Sequence, residues 1–105
     1  FTIMKEEPFG PLVPILTFKT FDEVIERAND NDLGLCSYLY TNSMDKAHIG
    51  SEKLESGCVA VNTGVVAIAE APFGGIKQTG YGREGGSGAI KDYLNVKYTH
   101  MGLKI

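Results

Sequence analysis

The chain has 105 residues, the size of one small domain. At 43% hydrophobic and 22% charged its composition is that of an ordinary globular protein, and a net charge of -3 supplies no basic field for nucleic acid. No apolar run approaches the ~18 residues of a membrane span and no signal peptide is recognisable, so a cytoplasmic protein is expected.

The chain opens FTIMKEEPFG, without an initiator Met and without a cap or turn, and reads as the middle of something longer. A fragment is therefore expected. Residues 11–18, PLVPILTF, form an apolar run of strand length, and Pro14 inside it points to an irregular or edge strand. Thr20-Phe21-Asp22-Glu23 then matches the S/T-x-x-E capping box, with Thr20 as N-cap. Phe21, Val24, Ile25 and Ala28 follow on one helical face. NDNDLG stops that helix, with Asn and Gly available for a left-handed cap.

LCSYLYT, residues 35–41, is a second strand. Ser43 caps a second helix running to about Glu55, with a thin apolar stripe of Met44, Ala47 and Leu54. Gly50 inside it costs ~1 kcal/mol against Ala, and Gly57 ends it. CVAVN, residues 58–62, is a third strand. The order β-α-β-α-β, with short connections and continuously apolar strands, predicts an α/β fold with a parallel sheet. Cys36 and Cys58 make no C-x-x-C and have no nearby His, so buried reduced thiols are expected and metal binding is not.

Residues 63–88 are glycine-rich and loop-like, and a loop of that length is usually functional. Gly80, Gly82 and Gly85 spell G-x-G-x-x-G. That fingerprint needs a strand running into its first glycine, a helix opening at its last and an acid ~20 residues on. None of these is visible, so the glycines read as a folded loop. A short helix is expected over residues 89–94, and NVKYTHM, residues 95–101, alternates as a solitary strand needing a partner, such as another chain.

KEEPFGPLVPI at 5–15 and APFGGIKQTGYGRE at 71–84 together resemble the C-terminal part of the NAD(P)-dependent aldehyde dehydrogenase superfamily. Within it, EAPFGGIKQTGYGREGG and KDYLNVKYTHMGL are most similar to the succinate-semialdehyde dehydrogenase group. The resemblance covers essentially the whole chain. It implies a three-part division: residues 1–78 as the end of a catalytic domain, 79–94 as a glycine-rich crossing with a short helix, and 95–105 as an oligomerisation strand. It also implies NAD or NADP as cofactor, a small-molecule aldehyde as substrate and a homo-oligomer joined through the C-terminal strand. In the family's reaction a thiolate attacks the aldehyde, hydride passes to the nicotinamide and water hydrolyses the thioester.

By the same resemblance Glu7 contacts the nicotinamide-ribose hydroxyls and Phe9 packs beside the nicotinamide. Phe73 lies near the substrate tunnel, and the loop carrying Ala67 and Glu70 lines the aldehyde entrance. Ala67 stands where succinate-semialdehyde enzymes place a Ser for the distal carboxylate, and Glu70 adds a negative charge. Amino-aldehydes and apolar aldehydes are therefore rivals to succinate semialdehyde. Arg83 is expected to form a structural ion pair. No residue of this chain is assigned as catalytic, because the family's nucleophilic Cys and general-base Glu fall upstream of Glu7. Alone, the chain should be inactive. The rival to an enzyme part is a stand-alone module that self-associates through its last strand.

Overall fold

The computed structural model describes residues 2–104. Phe1 and Ile105, the outer ends of the first and last expected sections, lie outside them. A short 3-10 helix spans Thr2–Met4, and the packed part of the molecule begins at helix α1, Phe21–Asn29. Its start follows the capping logic. The Thr20 hydroxyl accepts from Glu23 N–H at 3.2 Å. The Glu23 carboxylate reaches back one residue further than a standard capping box, accepting from Lys19 N–H at 2.8 Å.

Two strands and a second helix follow: β1 (Leu33–Gly34), β2 (Cys36–Leu39) and α2 (Met44–Lys53). Ser43 caps α2 by accepting from Lys46 N–H at 3.3 Å. Strand β3 (Cys58–Val61) pairs with β2 in parallel, in the register Cys36↔Cys58 to Leu39↔Val61. This β2-α2-β3 unit is the expected crossover. Gly50 also finds its reason here, since a Cβ at that position would meet Leu39 at 2.5 Å and the Phe21 ring at 3.3 Å. Its absence lets α2 settle onto β2 and α1. Ile25 of α1 and Ala60 of β3 are the buried apolar residues of the core.

Three expectations change. Residues 12–18 form no strand; Leu12, Val13, Ile15, Leu16 and Phe18 are all more than half exposed. The expected strand over 95–101 likewise has no ladder among the described residues. Both runs have strand-like patterns and nothing to pair with, and a strand is defined by its neighbour's hydrogen bonds. The parallel sheet therefore has two strands, not three. A separate antiparallel pair joins β1 to β4 (Ile76–Lys77), with Leu33↔Lys77 and Gly34↔Ile76. A 3-10 helix at Ala89–Tyr93 realises the expected short helix.

The end of α1 is also not the expected left-handed cap. Asp30 follows it with φ -73°. Asn29 instead ties the ends of α1 and α2 together, donating to Lys53 C=O at 2.8 Å and accepting from Glu55 N–H at 2.9 Å. With both ends of the chain extended, the longest dimension is 75 Å and the radius of gyration 19.4 Å. A compact chain of this length has about 13 Å.

Candidate functional site

The best-organised irregular region is the glycine-rich segment between β3 and the last 3-10 helix. Its entry is set by Asn62, which follows β3 with φ 56°. A left-handed backbone is tolerable for Asn because its short amide can bond locally. Here the amide acts as one more strand residue: Oδ1 accepts from Thr41 N–H at 2.9 Å and Nδ2 donates to Thr41 C=O at 2.9 Å. The chain is thereby turned out of the sheet into residues 63–71, where Ala67 and Glu70 are exposed.

Phe73 follows, half-buried, in a two-way backbone bridge with Glu84 in which each N–H donates to the other's carbonyl at 2.7 Å. P-F-G-G and the G-R-E stretch are thus one hydrogen-bonded unit. Arg83 reinforces it by donating to the carbonyls of Gly75 at 2.8 Å and Gly82 at 2.7 Å. That corrects the expected ion pair: the guanidinium serves backbone oxygens, and no carboxylate among the described residues bridges to it. The unit docks on the sheet where Gly57 lies directly against the Gly74 backbone.

On its other side the unit is held by Lys77. Its ammonium donates to Asn29 C=O at 2.8 Å and Asn31 C=O at 3.0 Å, beside the C-terminal end of α1, and pairs with Glu55 at 2.6 Å. Lys77 itself sits at φ 56°, a conformation that these three contacts maintain. Thr79 adds a hydroxyl accepting from Gly34 N–H at 2.8 Å. No local pattern signals the role of Lys77, because its two carbonyl partners lie 46 and 48 residues earlier and Glu55 is also distant in sequence.

Gly80, Gly82 and Gly85 have φ of +116°, +89° and +65°, which explains glycine at each. Gly86 N–H donates to Ala69 C=O at 2.9 Å, so the motif packs on the residue 63–71 loop. No helix opens at Gly85, and the G-x-G-x-x-G is a folded loop, as its surroundings predict.

The five expected site residues are not gathered into one pocket. Glu7 and Phe9 lie exposed in the extended N-terminal segment, Phe9 at 96%. No hydrogen bond or aromatic contact among the described residues links either to Ala67, Glu70 or Phe73. A depression of about 710 Å³, open to solvent, is instead lined by Asn29, Asp30, Asp32, Lys77 and Gln78 among others. No group of three or more His, Cys, Asp or Glu among the described residues could hold a metal ion. Nor is any of their helices long and apolar enough to cross a membrane. The expected buried cysteines are both half-buried free thiols.

A family model described as the aldehyde dehydrogenase family matches residues 1–99. The chain belongs to that family. Among similar proteins, the NADP+-dependent succinate-semialdehyde dehydrogenase of Escherichia coli K12 is 46% identical over 101 residues, covering 96% of this chain and 21% of that protein. A glutarate-semialdehyde dehydrogenase of Pseudomonas putida KT2440 is 49% identical over 96 residues, covering 91% and 20%. The NAD+ complex of an aldehyde dehydrogenase from Bacillus cereus matches with a TM-score of 0.88 at 47% identity, over 91% of this chain and 20% of that one. This aldehyde dehydrogenase chain thus spans about a fifth of the length of these relatives.

Proposed function

We propose that this chain is the section of an NAD(P)-dependent aldehyde dehydrogenase that supplies one edge of the nicotinamide site and one wall of the aldehyde entrance. The observation that carries the reading is the family match over 1–99, with E-E-P-F-G-P and P-F-G-G both inside it. The preferred substrate is a semialdehyde, because several of the relatives are named for succinate or glutarate semialdehyde, although a 3-sulfolactaldehyde dehydrogenase is equally similar. The nucleophilic thiol and general base belong to a part of the enzyme outside these residues, so residues 1–105 alone are inactive.

The residues present suit the nicotinamide end of the cofactor. Glu7 is exposed and no described residue bonds its carboxylate, so both oxygens are available to two vicinal ribose hydroxyls. The exposed face of Phe9 offers an apolar surface beside a planar ring. The bound cofactor supplies the hydride acceptor. This chain's part is to orient it through Glu7 and Phe9, and to shape the entrance with Ala67, Glu70 and Phe73 on the bonded unit of residues 72–86. Residues 79–94 act as the crossing and 95–105 as a strand added to a neighbouring subunit, which gives the bare C-terminal segment a partner.

A second reading of the substrate rests on Ala67 and Glu70. Ala67 has no hydroxyl to offer a distal carboxylate, and the exposed Glu70 charge repels one. An amino-aldehyde or apolar aldehyde suits that wall better. Steady-state kinetics of the whole enzyme on succinate semialdehyde, an aminoaldehyde and an aliphatic aldehyde separate the two readings by kcat/KM. In the same enzyme Glu7→Gln raises KM for the cofactor about tenfold, one charge-assisted hydrogen bond's worth, with thermal stability unchanged. Unaltered cofactor kinetics would remove Glu7 from the site.

A further inference from the structure

We propose that Cys36 and Cys58 form a redox site that a hydroperoxide closes into a disulfide, stapling β2 to β3. The two residues are direct partners in the parallel register, so their side chains leave the same face of the sheet. Adjacent strands run ~4.8 Å apart, inside the ~4.4–6.8 Å Cα separation of disulfide-bonded cysteines. Both residues are half-buried and both thiols are free. The Cys58 thiol points toward the Gly74 carbonyl at 3.8 Å. The closeness of the pair also shows in the pKa of Cys36, which burial raises first and the neighbouring Cys58 raises further. A thiol held protonated is a slow nucleophile, which sets this pair apart from an activated catalytic dithiol; what favours the disulfide is the second sulfur that the register holds alongside the first.

The chemistry balances with hydrogen peroxide, the simplest hydroperoxide, as oxidant. One sulfur attacks the peroxide oxygen, the O–O bond breaks, and a sulfenic acid and one water form. The second sulfur then attacks the sulfenic sulfur. An S–S bond forms, the S–O bond breaks and a second water leaves, so two electrons have passed from the thiols to the peroxide. Closure withdraws the Cys58 thiol from Gly74 and ties the base of β3, from which Asn62 and the residue 63–71 loop spring. The inference does not depend on which aldehyde the enzyme takes.

The test treats the whole protein with hydrogen peroxide under native conditions, blocks remaining thiols with N-ethylmaleimide and digests with trypsin without reductant. Cys36 lies in the tryptic segment 28–46 and Cys58 in 54–77. The expected product is these two segments joined, two hydrogens lighter than their sum and separated by dithiothreitol. Cys36→Ser and, independently, Cys58→Ala abolish it, and pre-unfolding in urea lowers its yield because the strand register brings the sulfurs together. Separate N-ethylmaleimide labelling of both cysteines after peroxide, linkage to another cysteine, or equal yield from unfolded protein overturns the proposal.

Discussion

The middle of this chain and its two ends have similar apolar content and opposite fates. Between Thr20 and Gly86 nearly every irregular turn is held by a named contact: Thr20 and Ser43 at the helix starts, Asn29 between the helix ends, Asn62 beside Thr41, Lys77 across α1 and Arg83 on the carbonyls of Gly75 and Gly82. Residues 12–18 and 94–104 have no such contacts with one another. Val13, Ile15, Val96 and Leu103 are all more than four-fifths exposed. An exposed apolar surface that extensive marks a contact face. The difference shows that alternation and apolar runs report that a segment is to be buried, and say nothing about which surface will cover it.

The strongest way to break the middle is at its tightest approach. Gly57→Ala places a methyl group on the Gly74 carbonyl oxygen, and a rigid backbone on both sides leaves no easy relief. The expected loss is about 3 kcal/mol, read as a lowered urea midpoint at unchanged slope. A shift of a few tenths would mean that the P-F-G-G turn does not dock there.

Asn62→Ala is next. It removes both bonds to Thr41 and leaves a non-glycine residue at φ 56°, together about 2 kcal/mol. Asn62→Gly relieves the backbone and forfeits only the bonds, so about half that loss is expected. Equal losses for the two variants would make the conformation irrelevant.

A smaller effect tests the cap of α1. The Glu23 carboxyl is held below the usual carboxylate range, chiefly by the Lys19 N–H it accepts from; partial desolvation opposes this, and Arg27 and Thr20 reinforce it. Its folded-state value is depressed, so its contribution is present above the unfolded value and is lost as pH falls through the folded one. Wild type should therefore exceed Glu23→Gln in Tm at neutral pH, and the gap should close on acidification below the usual carboxylate range. A gap independent of pH would show that the carboxylate's charge plays no part.

The smallest effect is expected at the ends. Ile15→Asp and Val96→Asp in the 105-residue chain should change stability by no more than about 0.5 kcal/mol, because both side chains are already in water. A loss of several times that would show that these segments dock after all, and would erase the contrast between middle and ends.

Much of the middle was legible from local rules. The S/T-x-x-E box placed the start of α1, Ser43 placed α2, and the short apolar CVAV run placed β3, since each depends on residues only a few positions apart. The family match over 1–99 agrees with the resemblance carried by E-E-P-F-G-P and P-F-G-G. What stayed hidden was the anchoring. Arg83 is expected in an ion pair, and nothing near either Arg83 or Lys77 in sequence announces that Arg83 serves backbone carbonyls or that Lys77 adds two carbonyls to its pairing with Glu55. The pairing of Cys36 with Cys58 depends on a parallel register that α2 sets and local pattern does not.

The amino-acid sequence by itself determined the family, through the motifs whose resemblance the family match bears out, and also the helices with their caps and the strand character of β2 and β3, which follow from propensities and hydrogen bonds spanning a few residues. Tertiary structure alone decided which apolar runs became strands, which carbonyls received Lys77 and Arg83, and that two cysteines face each other. Each of those depends on where distant backbone groups come to lie, and an unpaired N–H or C=O is satisfied by whatever partner the fold delivers.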